Sequence, residues 1–203
     1  MSRLNVLDLS QYMANEELRL ENQNFKNCKI SGIKNKFLTI YRCRFNNVEF
    51  ENSFHEVYAS FKECEFEECV FRDTFQGEDL ELVVQENIFI DCVFENICYR
   101  SFQVQSNIVN CKFINCNFTD IAIEGDLCFI GLELKSGTIE NFSFHGNQVM
   151  QNSFSDLQIS NMDLECAFIK NRLERIDLKG VKITGYCKDN ILIECEPNTI
   201  EMM

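Results

Sequence analysis

Phenylalanine recurs at five-residue spacing, in pairs, along the first half of this chain. The pairs lie in RCRFNNVEF (42–50), ECEFEECVF (63–71), NIFIDCVF (87–94) and NCKFINCNF (110–118). In most of them a small residue, usually cysteine, stands two positions before each phenylalanine, and polar or charged residues fill the remaining positions. An α-helix repeats every 3.6 residues and a simple strand every 2, so neither produces a period of five. The period indicates short sides of a coil that stacks on itself.

The phenylalanine pairs themselves return after a longer interval. Phe45, Phe66, Phe89 and Phe113 follow one another after 21, 23 and 24 residues, whereas four five-residue units take 20. From Ile139 onward the frame continues with a single one-residue slip. This pattern predicts an all-β fold, a right-handed quadrilateral parallel β-helix of about seven to eight coils. The extra residues then protrude as loops, such as Gln76–Val83.

The extent of the frame divides the chain into three predicted segments. Residues 21–188 form the β-helix, residues 1–20 an N-terminal capping segment, and residues 189–203 a C-terminal cap or dimerisation segment. A stack of parallel strands has open ends that aggregate unless they are covered. Within the first segment, Asp8 to Leu18 is expected to form a short helical cap, with its apolar side made of Leu9, Tyr12, Met13 and Leu18.

A compact apolar group follows the last regular unit. Either a cap or a dimer interface would use such a group, and its terminal position favours the dimer. The predicted dimer contacts are Tyr186, Ile191, Leu192 and Ile193.

Composition limits where the chain works and what it binds. The chain has 203 residues, of which 45% are hydrophobic, enough for one domain with a substantial core. Its formal charge of −13 argues against direct binding of nucleic acid, which requires Lys and Arg at the phosphates. No apolar run reaches the roughly 18–20 residues of a membrane span, and the N-terminal residues lack the order of a secretory signal. We therefore expect a cytoplasmic protein that contacts neither membrane nor nucleic acid directly.

The twelve cysteines are expected to be free thiols that fill small core positions. Cys64 and Cys69 have four residues between them, at the outer edge of zinc-ligand spacing, as do Cys111 and Cys116. No Cys-x-x-Cys pair occurs, and five is the repeat period itself, so we predict no metal site and no cofactor.

Charge is segregated along the sequence. Residues 22–48 contain six Lys or Arg and no acid, whereas residues 49–165 contain 22 acids and five bases. In the five-residue frame Glu65, Glu67 and Glu68 point outward around Phe66, and stacking is expected to arrange carboxylates at the coil spacing, as phosphates are arranged along DNA. Such a face would attract a basic groove, while the simpler interpretation is a charged exterior for solubility. The predicted acidic interaction face comprises Glu63, Glu65, Glu67, Glu68, Asp73, Glu78, Asp79 and Glu81.

Catalysis finds little support in the sequence. The two histidines, His55 and His145, stand in irregular stretches without a nucleophile signature, and no glycine-rich phosphate loop is present. Carboxylates on a convex surface lack the enclosed pocket that would separate their pKa values. We predict no catalytic residues and no enzyme activity.

The five-residue frame, with Phe or Leu at its centre and a small residue two positions before, resembles the pentapeptide-repeat family. The segment IDLKGVKITGYCKDNILIE (176–194) is similar to the exit from the last coil in the quinolone-resistance (Qnr) members, and the Cys-Phe style to the microcin-immunity members. These relatives imply a rod that imitates DNA and binds a type II topoisomerase, DNA gyrase or topoisomerase IV. Gln76–Val83 and Tyr99–Asn107 occupy the places where the resemblance would put the protruding loops of that family. The residues that match the exit pattern are Asp177, Leu178, Gly180, Val181 and Tyr186.

Two hypotheses therefore remain open. The first is an acidic DNA mimic that binds and modulates or protects a topoisomerase. The second is an interaction scaffold that displays loops to a protein partner of another kind, with no topoisomerase role.

Overall fold

The computed structural model describes residues 5–7, 17–31, 33, 37–51, 53–54, 58–75 and 82–196, and the side chains within these ranges except at 5–7 and 100–105. Every described strand pairs in parallel with strands of the neighbouring turns, giving one parallel β-solenoid of about 7 turns. These ranges contain no α-helix.

The strands are short in the first half and longer in the second. They are β1 (Asn5–Leu7), β2 (Glu17–Glu21), β3 (Asn24–Ser31), β4 (Phe37–Tyr41), β5 (Arg44–Glu51), β6 (Tyr58–Lys62), β7 (Glu65–Glu67), β8 (Val70–Arg72), β9 (Leu82–Gln85), β10 (Ile88–Ile90), β11 (Val93–Val109), β12 (Lys112–Ile130), β13 (Glu133–Met150), β14 (Ser153–Ser155), β15 (Gln158–Ile169), β16 (Arg172–Glu174), β17 (Val181–Thr184), β18 (Cys187–Lys188) and β19 (Ile191–Ile193).

Two columns of phenylalanine run through the interior, as the sequence predicts. In the first column each residue pairs with its counterpart one turn on, from β5 through β7 and β10 to β12. Backbone N–H groups bridge the same turns, for example from Glu65 to the Cys43 carbonyl over 3.0 Å. The first column contains Phe25, Phe45, Phe66, Phe89 and Phe113, and the second contains Phe50, Phe71, Phe94 and Phe118.

The rings of each column stack face to face. The Phe45 and Phe66 centroids are 4.8 Å apart with planes 4° from parallel, and the Phe89 and Phe113 centroids are 4.7 Å apart at 3°. Between the columns the rings meet edge to face, as Phe66 and Phe71 do at 5.5 Å. Each such pair is worth about 0.5–1.5 kcal/mol beyond the burial of its apolar area. The two columns therefore hold successive turns together and set their register.

The small residues two positions before the phenylalanines satisfy the backbone of the interior. The Cys64 thiol lies within hydrogen-bond distance of the Ile40 carbonyl on the preceding turn, 3.5 Å, and of the Lys62 carbonyl, 3.3 Å. Farther along, asparagine occupies this position: Asn171 donates to the Val149 carbonyl over 2.8 Å and accepts the Asn152 N–H over 3.0 Å. An unpaired carbonyl or N–H in an apolar interior would cost about 1–3 kcal/mol, which these side chains avoid.

Chain reversal at the corners uses the left-handed backbone region. Glu68 and Asp91, each two positions after a first-column phenylalanine, have φ values of 54° and 53°. Non-glycine residues adopt this region rarely, with Asn and Asp the most tolerant. At Glu68 the N–H donates to the Ile90 carbonyl of the next turn over 2.9 Å, so stacking between turns compensates for the strain.

The proposed helical cap is not seen: Leu18 lies buried in β2, where Leu18 and Leu20 alternate as in a strand, and residues 8–16 lie outside the described part. The segment Tyr99–Asn107 is assigned to β11, but its pairing with β12 shifts between Ser101 and Ser106, where five residue steps lie opposite two, so extra residues are accommodated within it. Of Gln76–Val83, only Leu82 and Val83 are described, and both belong to β9.

Parallel stacking continues past Lys188, where the regular frame of the sequence ends. Strand β19 pairs with β16, and Asp177 bridges to Glu196. The segment at Ile191–Ile193 thus forms one side of a further turn.

Replacing Phe66 by Ala should lower the free energy of unfolding by about 3–5 kcal/mol, because removing the ring between Phe45 and Phe89 would leave a cavity in the first column. Denaturant unfolding measures the loss. The control is Phe37→Ala, since the Phe37 residue is 43% exposed and its ring stacks on Tyr58 at the surface. Equal losses in the two variants would contradict the structural role assigned to the column.

Candidate functional site

The predicted acidic face lies on the outside of the solenoid, over the turn that contains Phe66. Glu65, Glu67 and Glu68 are exposed, and Glu63 and Asp73 are half-buried. They occupy strand β7, the corners on either side of it and, for Asp73, the corner after β8, so they follow the circumference of one turn. Glu78, Asp79 and Glu81 lie outside the described residues.

The expected stacking of carboxylate on carboxylate does not occur at Glu65 and Glu67. Glu65 is flanked along the stack by Arg44 and Ile88, and Glu67 by Asn46 and Ile90. The reason lies in the register, which aligns each position with its counterpart relative to the neighbouring phenylalanine. Like charges directly opposite each other in a sheet would also be destabilising.

The basic block of the sequence contacts the start of the acidic block. The Arg42 Nε donates to a Glu63 carboxylate oxygen over 2.7 Å, and the Arg44 Nε lies 2.9 Å from a Glu65 oxygen. The hydrogen bond from Arg42 lowers the pKa of the Glu63 carboxyl. These pairs lie at the surface, where each contributes about 0–1 kcal/mol. Their main effect is to neutralise one edge of the predicted acidic face.

Two carboxylates on the next corner have no Lys or Arg partner within the described ranges. Glu68 and Asp91 occupy the same corner on consecutive turns, and both are exposed. Asp91 accepts a hydrogen bond from the Asn115 side chain over 2.6 Å, and on another corner Asp120 accepts one from Asn141 over 2.9 Å. A neutral amide donor leaves the negative charge in place, so this corner remains acidic.

Branched aliphatic side chains stand beside this acidic corner, at outward positions of the frame. Ile88 and Ile90 flank Phe89, whose ring points inward, and Ile114 stacks on Ile90 in the next turn. On the adjacent side of the corner, Val70 and Val93 stack on each other. All five are half-buried by their neighbours. Sequence reasoning missed them, although an aliphatic residue next to a central phenylalanine is a detectable signal.

We call the combined area the acid–aliphatic surface. It comprises Glu67, Glu68, Asp91, Val70, Val93, Ile88, Ile90 and Ile114.

The cysteines of the interior are unsuited to nucleophilic chemistry. All twelve thiols are unpaired, and Cys64 and Cys111 are 1% exposed or less. Burial raises the pKa of each of these two thiols to about 11. A thiolate is the reactive form, so these side chains serve packing and hydrogen bonding. The described part of the chain contains no group of three or more His, Cys, Asp or Glu placed to hold a metal ion.

His145 belongs to a regular strand, contrary to the expectation of an irregular stretch. It lies exposed in β13, and its counterparts on the neighbouring turns are Glu124 and Glu165. His55 lies outside the described residues.

The predicted dimer contacts lie on the last turn. Tyr186 is 56% exposed and Ile191 is 55% exposed, large fractions for such side chains, whereas Leu192 and Ile193 are half-buried. Leu192 extends the first column beyond Leu173 and packs against the core.

An arginine binds two carboxylates on the same side of the rod. Arg175 donates to both oxygens of Asp156, with distances of 2.5 Å and 2.8 Å, and also to Glu174. The hydrogen bond from Arg175 lowers the pKa of the Asp156 carboxyl, and hydrogen bonds from Arg172 and Arg175 lower that of Glu174.

Arg175→Gln should make the protein less stable near neutral pH but not in strong acid. A carboxyl whose pKa is lowered by folding stabilises the folded state above its unfolded value, near 4, and loses that contribution as pH falls through the folded value. Urea unfolding at about pH 6 and about pH 2.5 should therefore show a difference from wild type only at the higher pH. Lys179→Gln is the control, since its amine lies 4.0 Å from Asp177 and both side chains are mostly exposed. A difference that persists unchanged at the lower pH would refute this assignment.

No family model matches the sequence, and no curated protein matches it. Two solved structures of trypsin-treated QnrB1 variants, described as a plasmid-mediated fluoroquinolone resistance protein, are similar to the chain. One is 13% identical, with a TM-score of 0.26, covering 93% of this chain and 88% of that one. The other is 15% identical, with a TM-score of 0.19 and coverages of 86% and 88%. No helix within the described residues has the length and apolar character to cross a membrane.

Proposed function

We propose, on the premise of a β-solenoid that is consistent with the pentapeptide-repeat family, that this chain is a non-enzymatic rod that binds another protein through the acid–aliphatic surface. The observation that carries this proposal is the combination of exposed carboxylates with outward Ile and Val side chains on the same turns.

Charge favours a basic partner. Between residues 63 and 95 the sequence has eleven acidic residues and one basic residue, Arg72. Arg42 and Arg44 offset Glu63 and Glu65 at one edge, so the uncompensated charge is greatest around Glu67, Glu68 and Asp91. Complementary charge raises association rates and selects partners, and its effect weakens as salt screens it.

The aliphatic side chains favour a binding role over solubility alone. An exterior that served only solubility would have polar or charged residues at the outward positions of the frame. Instead Ile90 stacks on Ile114 and Val70 on Val93, beside the acidic corner. Burying such side chains beneath a partner supplies the apolar centre of an interface, with the carboxylates as its polar rim.

A type II topoisomerase, DNA gyrase or topoisomerase IV, is the proposed partner. The similarity of residues 176–194 to the coil exit of the quinolone-resistance members suggests this class of enzyme, and a groove that binds DNA has the basic character required. In this proposal the carboxylates occupy the groove in place of phosphates, and the rod modulates or protects the enzyme.

Handedness and cross-section belong to the same proposal. We infer a right-handed rod with four sides, because parallel crossovers are right-handed in nearly all folds and one turn takes roughly four five-residue units. Twelve thiols without a disulfide suit the reducing cytoplasm, where we place the protein.

The direct test is a supercoiling assay with gyrase, with and without a fluoroquinolone. Wild-type protein at micromolar concentration should change supercoiling or drug sensitivity. The variant Glu67→Lys, Glu68→Lys, Asp91→Lys should lose at least tenfold in potency, and Ile90→Ser should also weaken the effect. The matched control carries Glu140→Lys, Asp163→Lys and Glu165→Lys, the same change in net charge placed on later turns.

Two results would count against the proposal. If wild-type protein has no effect on gyrase or topoisomerase IV, the topoisomerase assignment fails. If the control variant loses as much potency as the first variant, the effect depends on the net charge of the protein and not on the acid–aliphatic surface.

We also infer that two copies associate through the last turn, where Tyr186 and Ile191 expose more than half of their surface. The variant Tyr186→Ser, Ile191→Ser should sediment as a monomer where wild type sediments as a dimer. Phe37→Ser, which alters another exposed aromatic residue, should leave the dimer intact. A monomeric wild-type protein at tens of micromolar would exclude this interface.

A further inference from the structure

An apolar cavity of about 140 Å³ lies in the interior of the solenoid. Its lining comes from consecutive turns between Phe61 and Leu164, and every lining residue is hydrophobic. Most of these side chains are buried, so the space belongs to the core rather than to a surface groove.

The cavity has a cause in the sequence. Around the two columns the strands of successive turns pair residue for residue, so the backbone there keeps much the same spacing. Within these two columns the side chains become smaller along the chain, while rings such as Phe144 stay buried on other sides of the later turns. Both columns hold phenylalanine up to Phe113 and Phe118, and the next turn places Leu134 and Ile139 at the same positions. Aliphatic side chains in positions of ring size leave part of the interior unfilled.

The unfilled space is easiest to locate at Leu134. It stands in the first column between Phe113 and Phe154, one turn from each. Earlier in that column the rings repeat every 4.7–4.9 Å, so the position of Leu134 has the spacing of a stacked phenyl ring. At Leu134 a ring therefore fits and the sequence supplies none, and this position lines the cavity, whereas Leu173 in the same column does not.

We propose that this cavity binds a small apolar molecule about the size of one aromatic ring, placed against the Phe113 ring beside Leu134. A cavity of about 150 Å³ lined by Leu, Ile and Phe stays dry and takes up benzene or xenon, and the present cavity is similar in volume and in lining. With only hydrophobic residues around it, the site selects for uncharged hydrocarbon ligands and against polar ones. This site is separate from the acid–aliphatic surface and does not depend on the proposed function.

Ligand binding is expected to stabilise the folded chain, because the cavity exists only when the turns are stacked. Benzene should raise the Tm of the wild-type protein by about 2–4 °C at a concentration well above its dissociation constant. Xenon under pressure should produce an electron-density peak in crystals, inside the cavity and next to Leu134.

The decisive variant is Leu134→Phe, which supplies the missing ring. It should raise the Tm in the absence of ligand and abolish the benzene shift and the xenon peak. The matched control is Leu173→Phe, in the same column one turn beyond Phe154, where the residue is 4% exposed and does not line the cavity. That substitution should overpack the core and lower the Tm while preserving the benzene shift.

The xenon measurement on wild-type crystals keeps the test valid if either variant fails to fold. Absence of both a benzene shift and a xenon peak in the wild-type protein would overturn the proposal. An undiminished benzene shift in folded Leu134→Phe would overturn it as well.

Discussion

Face-to-face stacking of phenylalanine rings is the interaction on which this structure depends. Parallel strands in a sheet are spaced about 4.7–4.9 Å apart, and phenyl rings stack at the same distance. The centroid separations of 4.7 Å to 4.9 Å within both columns show that the two spacings coincide here. Up to Phe113 and Phe118, a ring from each turn therefore fixes the register of the whole turn. The corner geometry, the pairing of the small residues and the position of every outward side chain follow from it.

Register also determines the electrostatics of the surface. Because each outward residue meets its counterpart one turn away, the basic segment before residue 49 lies against the first acids, and Arg42 and Arg44 pair with Glu63 and Glu65. Glu67 and Asp91 accept hydrogen bonds from amides instead, whereas acids on later turns pair with bases again, as Glu133 does with Lys112. Uncompensated charge is therefore concentrated around Glu67, Glu68 and Asp91, beside branched aliphatic side chains. This is the physical basis for assigning the acid–aliphatic surface to a basic protein partner.

Much of the fold was predictable from the five-residue period. The prediction of stacked parallel coils with Phe45, Phe66, Phe89 and Phe113 in one interior column is confirmed. The same register, applied one residue earlier, places Arg44 and Ile88 beside Glu65, so the sequence already contradicted a continuous row of carboxylates. Leu18 was misassigned because an amphipathic helix and an alternating strand both accept apolar residues at short spacing. The cavity could not be predicted from the sequence, since its volume depends on how far the backbone of each turn lies from the axis.

The measurement that tests the stacked register most directly is a distance between Arg44 and Arg172. These residues occupy the same outward position on turns six steps apart, through Glu65, Ile88, Lys112, Glu133 and Ser153. Spin labels attached to ketone-bearing residues at the two positions do not react with the native thiols. Pulsed electron paramagnetic resonance then measures the distance between the labels. In-register stacking predicts a narrow distribution centred at about 29 Å, six spacings of about 4.8 Å, broadened only by the label linkers. A broad distribution, or a maximum that differs by more than about two such spacings, would contradict the stack of phenylalanine columns.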